Sequence, residues 1–300
     1  MSMARLWRAA FVALMGATLF AIAACGSNGP TGPTTPPGGG GNQQPPANNQ
    51  PVIDSISVRD TRERVPAGFA DVGDTIEVSA QVRDDETPVE QLQFQWSAPN
   101  GTFTGTGATV TWVPDASAVT PADITITLQV IERYGHPGGA LNWEHRVSRT
   151  ASVRLHHSLR EVGEMARAFL TEFSKPQTNK DWQNIMKDFK ASACPDPAEV
   201  EDEKAQVIRH YTYFTMHEYR IGDATVGLDF GGRCFQGKRG DACASVPTYW
   251  DSTDGRNGRR SVTTGTDHLS AAYSPADGRW WLCSSNFQSA SSFGHTFYSR

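Results

Sequence analysis

Val153-Arg154-Leu155-His156-His157-Ser158-Leu159-Arg160-Glu161-Val162-Gly163-Glu164-Met165-Ala166-Arg167-Ala168-Phe169-Leu170 changes its period in the middle. Up to Leu155 apolar and polar residues alternate, as they do on a half-buried strand. From Ser158 onward Val162, Met165, Phe169, Leu170 and, just beyond, Phe173 fall on one helical face. Ser158-x-x-Glu161 has the form of a capping box at the start of that helix. The switch divides the chain into a β-patterned part before residue 157 and a mixed part after it. Adjacent residues on a strand point to opposite faces, so His156-His157 does not read as a chelating pair; it marks the junction.

Working back from the junction, Val147 to Leu155 is the last of about seven alternating runs in about one hundred residues. Among the others are Val52 to Val58, Asp74 to Val82 (with Ile76, Val78, Ala80 and Val82 on one face), Leu92/Phe94/Trp96, Val110/Trp112, and Ile124 to Val130. Turn clusters such as Pro99-Asn100-Gly101 separate them. Residues 52–157 are therefore expected to form an all-β sandwich, with the strand count of an immunoglobulin-like one. Asp84-Asp85-Glu86 is read as a solvated turn rather than a calcium site, because no second acidic cluster stands at ligand spacing.

Working forward, a short helix fits Asp181 to Phe189, with Trp182, Ile185, Met186 and Phe189 inward. A third helix opens at Asp196-Pro197, Asp196 capping and Pro197 in the first turn, and runs through Val200, Val207, Ile208 and Tyr211. The pattern is then β again over Phe214 to Phe230, Ala242 to Asp251, Arg259 to Ser274 and Arg279 to Phe287. Turns at Thr253-Asp254-Gly255 and Ala276-Asp277-Gly278 link the last three into a meander. Helices first and a curved antiparallel sheet afterwards make residues 158–300 an α+β module.

Two resemblances follow. Leu92-Gln93-Phe94-Gln95-Trp96-Ser97-Ala98-Pro99-Asn100-Gly101-Thr102-Phe103, followed by Ala108-Thr109-Val110-Thr111-Trp112-Val113-Pro114, resembles the immunoglobulin-like and polycystic-kidney-disease-type modules of bacterial surface proteins. The usual Trp-Asp-Phe-Gly-Asp-Gly run and an internal cysteine pair are missing. Ser158 to Phe287 resembles the nuclear-transport-factor-2-like (SnoaL-like) cone. The best local match is His268-Leu269-Ser270-Ala271-Ala272-Tyr273-Ser274-Pro275-Ala276-Asp277-Gly278-Arg279-Trp280-Trp281-Leu282, similar to that family's closing hairpin. The second resemblance implies a pocket between sheet and helices. Enzymes of that family, ketosteroid isomerase and scytalone dehydratase among them, place an Asp or His there for proton transfer.

The N-terminus carries an address. Arg5 and Arg8 precede an apolar run, Ala9 to Ala24, which suits a signal-peptide core better than a membrane span of ~20 residues. Ile22-Ala23-Ala24-Cys25 resembles the lipobox of bacterial lipoproteins, which implies cleavage after residue 24 and acylation of Cys25. Gly26 and Ser27 follow with no aspartate, which by resemblance favours the outer membrane. From 25 to 51 the chain has no charged and no large apolar residue and is dense in Gly, Pro, Asn, Gln and Thr. It is expected to stay disordered as a tether, spanning roughly 25–30 Å as a flexible coil.

Losing Arg5 and Arg8 takes the formal charge from −5 to −7. No Lys/Arg stripe exists, which argues against a nucleic-acid partner and leaves membrane attachment to acyl chains. Beyond Cys25 the cysteines are Cys194, Cys234, Cys243 and Cys283. An even number outside the cytoplasm suggests two disulfides, and no zinc-ligand spacing competes. Of three connectivities, Cys234–Cys243 suits a hairpin and leaves Cys194–Cys283; the sequence does not choose.

The chain has no Gly-x-Ser-x-Gly elbow, His-Glu-x-x-His helix, phosphate-binding loop or EF-hand, so no metal or cofactor is expected. Two residues are catalytic candidates. His217 shares strand parity with Tyr219 and Ile221 and should face the core; a hydrogen-bonded histidine at the core edge is the simpler account of it. Asp267 shares the core-facing parity of Leu269, whereas His268 should face solvent. In Tyr249-Trp250 and Trp280-Trp281 one ring each should point inward. The expectation is a lipid-anchored, non-catalytic binding or scaffold protein meeting a protein, a glycan or a small hydrophobic ligand. The alternatives are an isomerase, dehydratase or hydrolase in the cone, or a surface adhesin.

Overall fold

The computed structural model describes residues 44–175 and 182–290. The signal peptide, Cys25 and residues 26–43 of the expected linker lie outside the described residues. The protein is mostly β, half strand and a fifth helix, in several sheets of which one is curled into a half-barrel. Among the described residues no helix is long and apolar enough to cross a membrane.

The first eight strands are β1 (Val52–Asp60), β2 (Phe69–Asp71), β3 (Ile76–Arg83), β4 (Gln93–Ser97), β5 (Thr102–Thr104), β6 (Thr109–Val113), β7 (Ala122–Tyr134) and β8 (Trp143–His156). They form two four-stranded sheets, ordered β1-β3-β6-β5 and β2-β8-β7-β4. Ile76, Val78, Val110 and Trp112 of one sheet pack against Ile124, Ile126, Val153 and Leu155 of the other. The alternation that puts every second residue on one face thus fills a common core. The Pro99-Asn100-Gly101 turn needs its glycine. Gly101 has φ +84°, and a Cβ there would run into Trp112 Nε1, whose N–H donates to Asn100 O at 2.9 Å.

The last residues of the expected tether touch the first half. Asn48 Nδ2 donates to the buried Glu132 carboxylate at 2.8 Å, Asn49 Nδ2 donates to Glu86 at 2.6 Å, and Pro51 is buried.

The second half contains helices α1 (Ser158–Ser174), α2 (Trp182–Ile185) and α3 (Pro197–Tyr213). Strands β9 (Phe214–Ile221), β10 (Thr225–Arg233), β11 (Arg239–Asp254), β12 (Arg259–Ser274) and β13 (Arg279–Ser289) follow. The sheet runs β10-β11-β12-β13, and β9 pairs with the second half of β11. Its concave face carries Ala242, Ala244, Val246, Trp250, Leu269, Leu282 and Phe287. Against it pack Val162, Ala166, Phe169 and Phe173 of α1 and Val200, Val207 and Tyr211 of α3. The Asp196 side chain caps α3 by accepting from Ala198 N, with Pro197 in the first turn, as its sequence dictates. Disulfides join Cys194 to Cys283, 89 residues apart, and Cys234 to Cys243, 9 apart.

The two halves are joined by a built interface. Phe69, 1% exposed, leaves the first half and enters the core of the second. It stacks on His156 (centroids 5.2 Å, planes 9° apart) and meets Tyr273, Phe230 and Trp280 edge-on. The expected capping box is corrected here. His157, not Ser158, is the N-cap residue of α1, and Glu161 reaches back to His157 N at 2.9 Å and His156 Nδ1 at 2.7 Å. Ser158 N instead donates to Asp71 Oδ1 at 2.9 Å, so β2 supplies the acceptor that this helix end requires. Beside it Arg62 sits among Asp60, Asp71 and Asp74, and Arg64 pairs with Asp229 at 2.7 Å.

Candidate functional site

The polar groups inside the curled sheet sit together. Asp267 on β12 is 2% exposed and Glu203 on α3 is 4% exposed. A donor chain ends on Asp267: Trp250 Nε1–H donates to Thr248 Oγ1 at 3.1 Å, and that hydroxyl donates to Asp267 Oδ2 at 2.7 Å. Glu203 takes both donors of one residue, Ser285 N at 2.9 Å and Ser285 Oγ at 2.7 Å. His210, two turns further along the same face of α3, is 4% exposed. It stacks on Phe173 (4.2 Å) and Phe214 (5.5 Å) and meets Trp250 edge-on.

Burial governs the proton affinities of all three. Desolvation pushes Asp267 up to about 7, with the nearby Glu203 carboxyl adding and the Thr248, Trp250 and Tyr219 donors opposing. Desolvation likewise pushes Glu203 up to about 7 against its Ser285 bonds and the Lys238 charge, and it drives His210 down to about 3. The folded state therefore holds two protons that the unfolded chain releases above its ordinary values of 3.8 and 4.5. These two groups lower stability as pH rises from about 4.5 to about 7 and have no further effect above it. His210 opposes them below 6.5, because only the unfolded chain binds its proton there. Replacing Glu203 with Gln should remove one proton's worth of slope, about 1.4 kcal/mol per pH unit between pH 5 and 7. Urea midpoints of wild type and variant across that range test this. Parallel curves would contradict it.

Asp267 lies on the core face that its parity with Leu269 indicates. His217 does not, and that expectation is corrected. Across β9 and β11, Glu218 pairs with Asp251 and Met216 with Ser252, so His217 is the extra residue of a bulge. The bulge shifts parity by one. Met216, Tyr219 and Ile221 pack on the core, while His217 is exposed and shares a 2.8 Å hydrogen bond with Thr253 Oγ1. The structure therefore does not bring His217 and Asp267 together. His268 lies on the outer face, half-buried because Phe235 stacks on it at 4.1 Å.

Glu203 and His210 were missed by the sequence reading, although a signal exists. Both fall three residues after the inward Val200 and Val207, on the apolar stripe of α3.

The remaining candidates resolve into packing. Trp250 and Trp280 are buried. Their neighbours Tyr249 and Trp281 lie outward under cations: Arg220 over Tyr249 at 4.5 Å, and Arg279 and Lys190 over Trp281 at 4.1 and 5.3 Å. Asp84 Oδ1 accepts from Glu86 N and Thr87 N and so closes its own turn. Among the described residues no three His, Cys, Asp or Glu side chains are placed to hold a metal ion.

An open surface groove of about 690 Å³ lies outside Thr248, between Arg220 and Tyr249 on one side and Thr264, Thr266 and Gln288 on the other. Arg220 also bonds Glu218 at 2.7 Å, so the groove's cation is already held. Neither the scan against protein-family models nor the search of curated proteins finds a match to this chain.

Proposed function

We propose that the chain is a lipid-anchored protein of a bacterial cell envelope, of binding or scaffold type. Residues 1–24 are its signal peptide, Cys25 its lipid attachment at the outer membrane, and the polar segment after it a tether. The two facing sheets of residues 52–157 serve as an immunoglobulin-like spacer. Residues 158–300 are the nuclear-transport-factor-2-like module that the spacer displays.

One observation carries the choice of binding over catalysis. The carboxyls that could move a proton, Asp267 and Glu203, are 2% and 4% exposed, behind Trp250, Phe173, Phe287 and His210. General acid–base catalysis needs the reacting atom within hydrogen-bond reach of the group, and aromatic rings occupy that space. The adhesin alternative needs a stripe of exposed rings on the spacer. Trp96, Phe103 and Trp112 instead pack inward, and the exposed large apolar residues of that half are Val52, Val113, Val119 and Leu141. Two disulfides favour an oxidising compartment.

Two experiments test the proposal. Changing Cys25 to Ala should move the protein from the membrane to the soluble fraction; a variant still recovered with membranes would count against the anchor. At pH 5 a neutral apolar dye such as Nile red should find no saturable site. One-to-one uptake altered by Asp267→Asn would instead favour an enzyme of the isomerase or dehydratase type.

A further inference from the structure

The outer face of the curled sheet carries a row of polar side chains. Val226, Ala244, Val246, Leu269 and Phe287 turn to the core, so their neighbours Thr225, Ser245, His268 and Gln288 turn outward. Thr225 of β10 stands opposite Ser245 of β11, and Ser245 stands opposite His268 of β12. Ser245 Oγ lies 2.9 Å from His268 Nδ1, and His268 Nε2 lies 3.3 Å from Gln288 Oε1 on β13. An amide oxygen only accepts, so Nε2 carries the ring proton and Nδ1 is left to accept from the serine hydroxyl. Phe235 covers one face of the imidazole at 4.1 Å, its plane 19° from parallel, and its neighbour Cys234 is tied to Cys243 by the short disulfide. Burial lowers the proton affinity of His268 against the Gln288 bond, which keeps Nδ1 unprotonated.

We propose that this row carries acyl transfer from a short-chain ester of a neutral alcohol, with Ser245 as nucleophile, His268 as general base and Gln288 positioning the base. Nucleophile, base and orienting group stand within hydrogen-bond reach of one another, each on its own strand of one sheet. Ser245 Oγ bonds to the ester carbonyl carbon while its proton passes to His268 Nδ1. The bond from that carbon to the alcohol oxygen then breaks, and the alcohol leaves with the proton. Water repeats the step: it attacks the acyl carbon and gives its proton to Nδ1, and Ser245 Oγ takes that proton back as the acid leaves. Thr225, on the far side of Ser245 from His268, offers its hydroxyl to the oxygen that gains charge. The surroundings set the substrate class. Two residues along the same faces of β11 and β12, about 7 Å away, Pro247 and Thr266 line the open groove of about 690 Å³, and Gln288 lines it too. Its cation, Arg220, is held by Glu218, so the groove suits an uncharged alcohol part. Beneath Ser245 the sheet is packed, with Ala244 and Val246 buried on either side, which leaves room for a short acyl chain. The row lies on the opposite face of the sheet from the closed interior, so the burial that favours binding over catalysis there does not apply to it. The lipid anchor plays no part in it.

A biotin-tagged fluorophosphonate, which traps activated serines, tests this on the full-length protein without reductant, with labelled peptides mapped by mass spectrometry. Ser245 should be labelled, and p-nitrophenyl acetate should be hydrolysed in preference to the octanoate. Ser245→Ala should lose both reactions. His268→Phe, which keeps a ring against Phe235 but has no base, should slow labelling by about 100-fold or more. Gln288 acts through His268, so its test is spectroscopic as well. NMR of the imidazole nitrogens should show Nε2 protonated and Nδ1 bare in wild type, and a mixture of tautomers with slower labelling in Gln288→Leu. The proposal is overturned if Ser245 is not labelled, if acetate hydrolysis survives Ser245→Ala, or if His268→Phe is labelled as fast as wild type. Should His268→Phe not fold, Gln288→Leu decides, and unchanged tautomer and labelling in that variant sink the relay.

Discussion

Replacing Cys194 and Cys283 together by alanine is expected to lower the unfolding free energy by about 4–5 kcal/mol, against about 2–3 for the Cys234/Cys243 pair. The difference follows from loop length. A link between residues 89 apart removes far more freedom from the unfolded chain than one between residues 9 apart. The chemical change is the same in both variants, so the lost sulfur contacts largely cancel in the comparison. The long link also does structural work that the short one does not. It ties the chain entering α3 to β13, whereas Cys234–Cys243 spans a connection that the β10–β11 pairing already closes. Urea unfolding of the two double variants under non-reducing conditions gives both losses directly. Equal losses, or a larger one for the short pair, would show that native-state contacts outweigh chain entropy here.

Much of this architecture is legible in the sequence because it rests on local patterns. The period change at Ser158 coincides with the first residue of α1, and Asp196-Pro197 opens α3 because a capping side chain and a proline need only their immediate neighbours. The meander β11-β12-β13 follows from two turn clusters and alternation. What the sequence hides is non-local. Whether His217 faces in or out depends on a bulge, which exists only relative to the partner strand β11; strict alternation from Tyr219 therefore places it on the wrong face. The acceptor for Ser158 N comes from Asp71, 87 residues away, so the neighbouring Glu161 draws the capping assignment to itself. Glu203 sits in a helix dense in charge, Glu199, Glu201, Asp202 and Lys204, where an acid reads as solvated until the burial of its face is known. The candidate site was thus half legible: Asp267 by parity, its two companions not.

The joint between the halves gives the other large effect. Phe69→Ala is expected to cost about 3–5 kcal/mol, the usual range for emptying a buried phenylalanine site. The site cannot easily collapse, because its walls belong to different elements: His156 at the end of β8, Phe230 on β10, Tyr273 on β12 and Trp280 on β13. His156 is fixed further by Glu161 at 2.7 Å and by Tyr273 Oη at 3.2 Å, so it cannot follow a shrinking side chain. Filling the same space with Phe69→Leu should restore more than half of the loss, because the remaining cavity is smaller. The ring is also the main apolar bridge in a joint otherwise made of the Ser158–Asp71 hydrogen bond, Arg62 over the Phe230 ring at 5.6 Å and the exposed, individually weak Arg64–Asp229 ion pair. Its removal should therefore uncouple the halves as well as destabilise them. Calorimetry of wild type should give one cooperative transition, and Phe69→Ala should give two, with the strands before residue 157 and the α+β half melting separately. A single transition with a loss below about 1 kcal/mol would mean that the polar contacts suffice to join the halves and that Phe69 merely fills space.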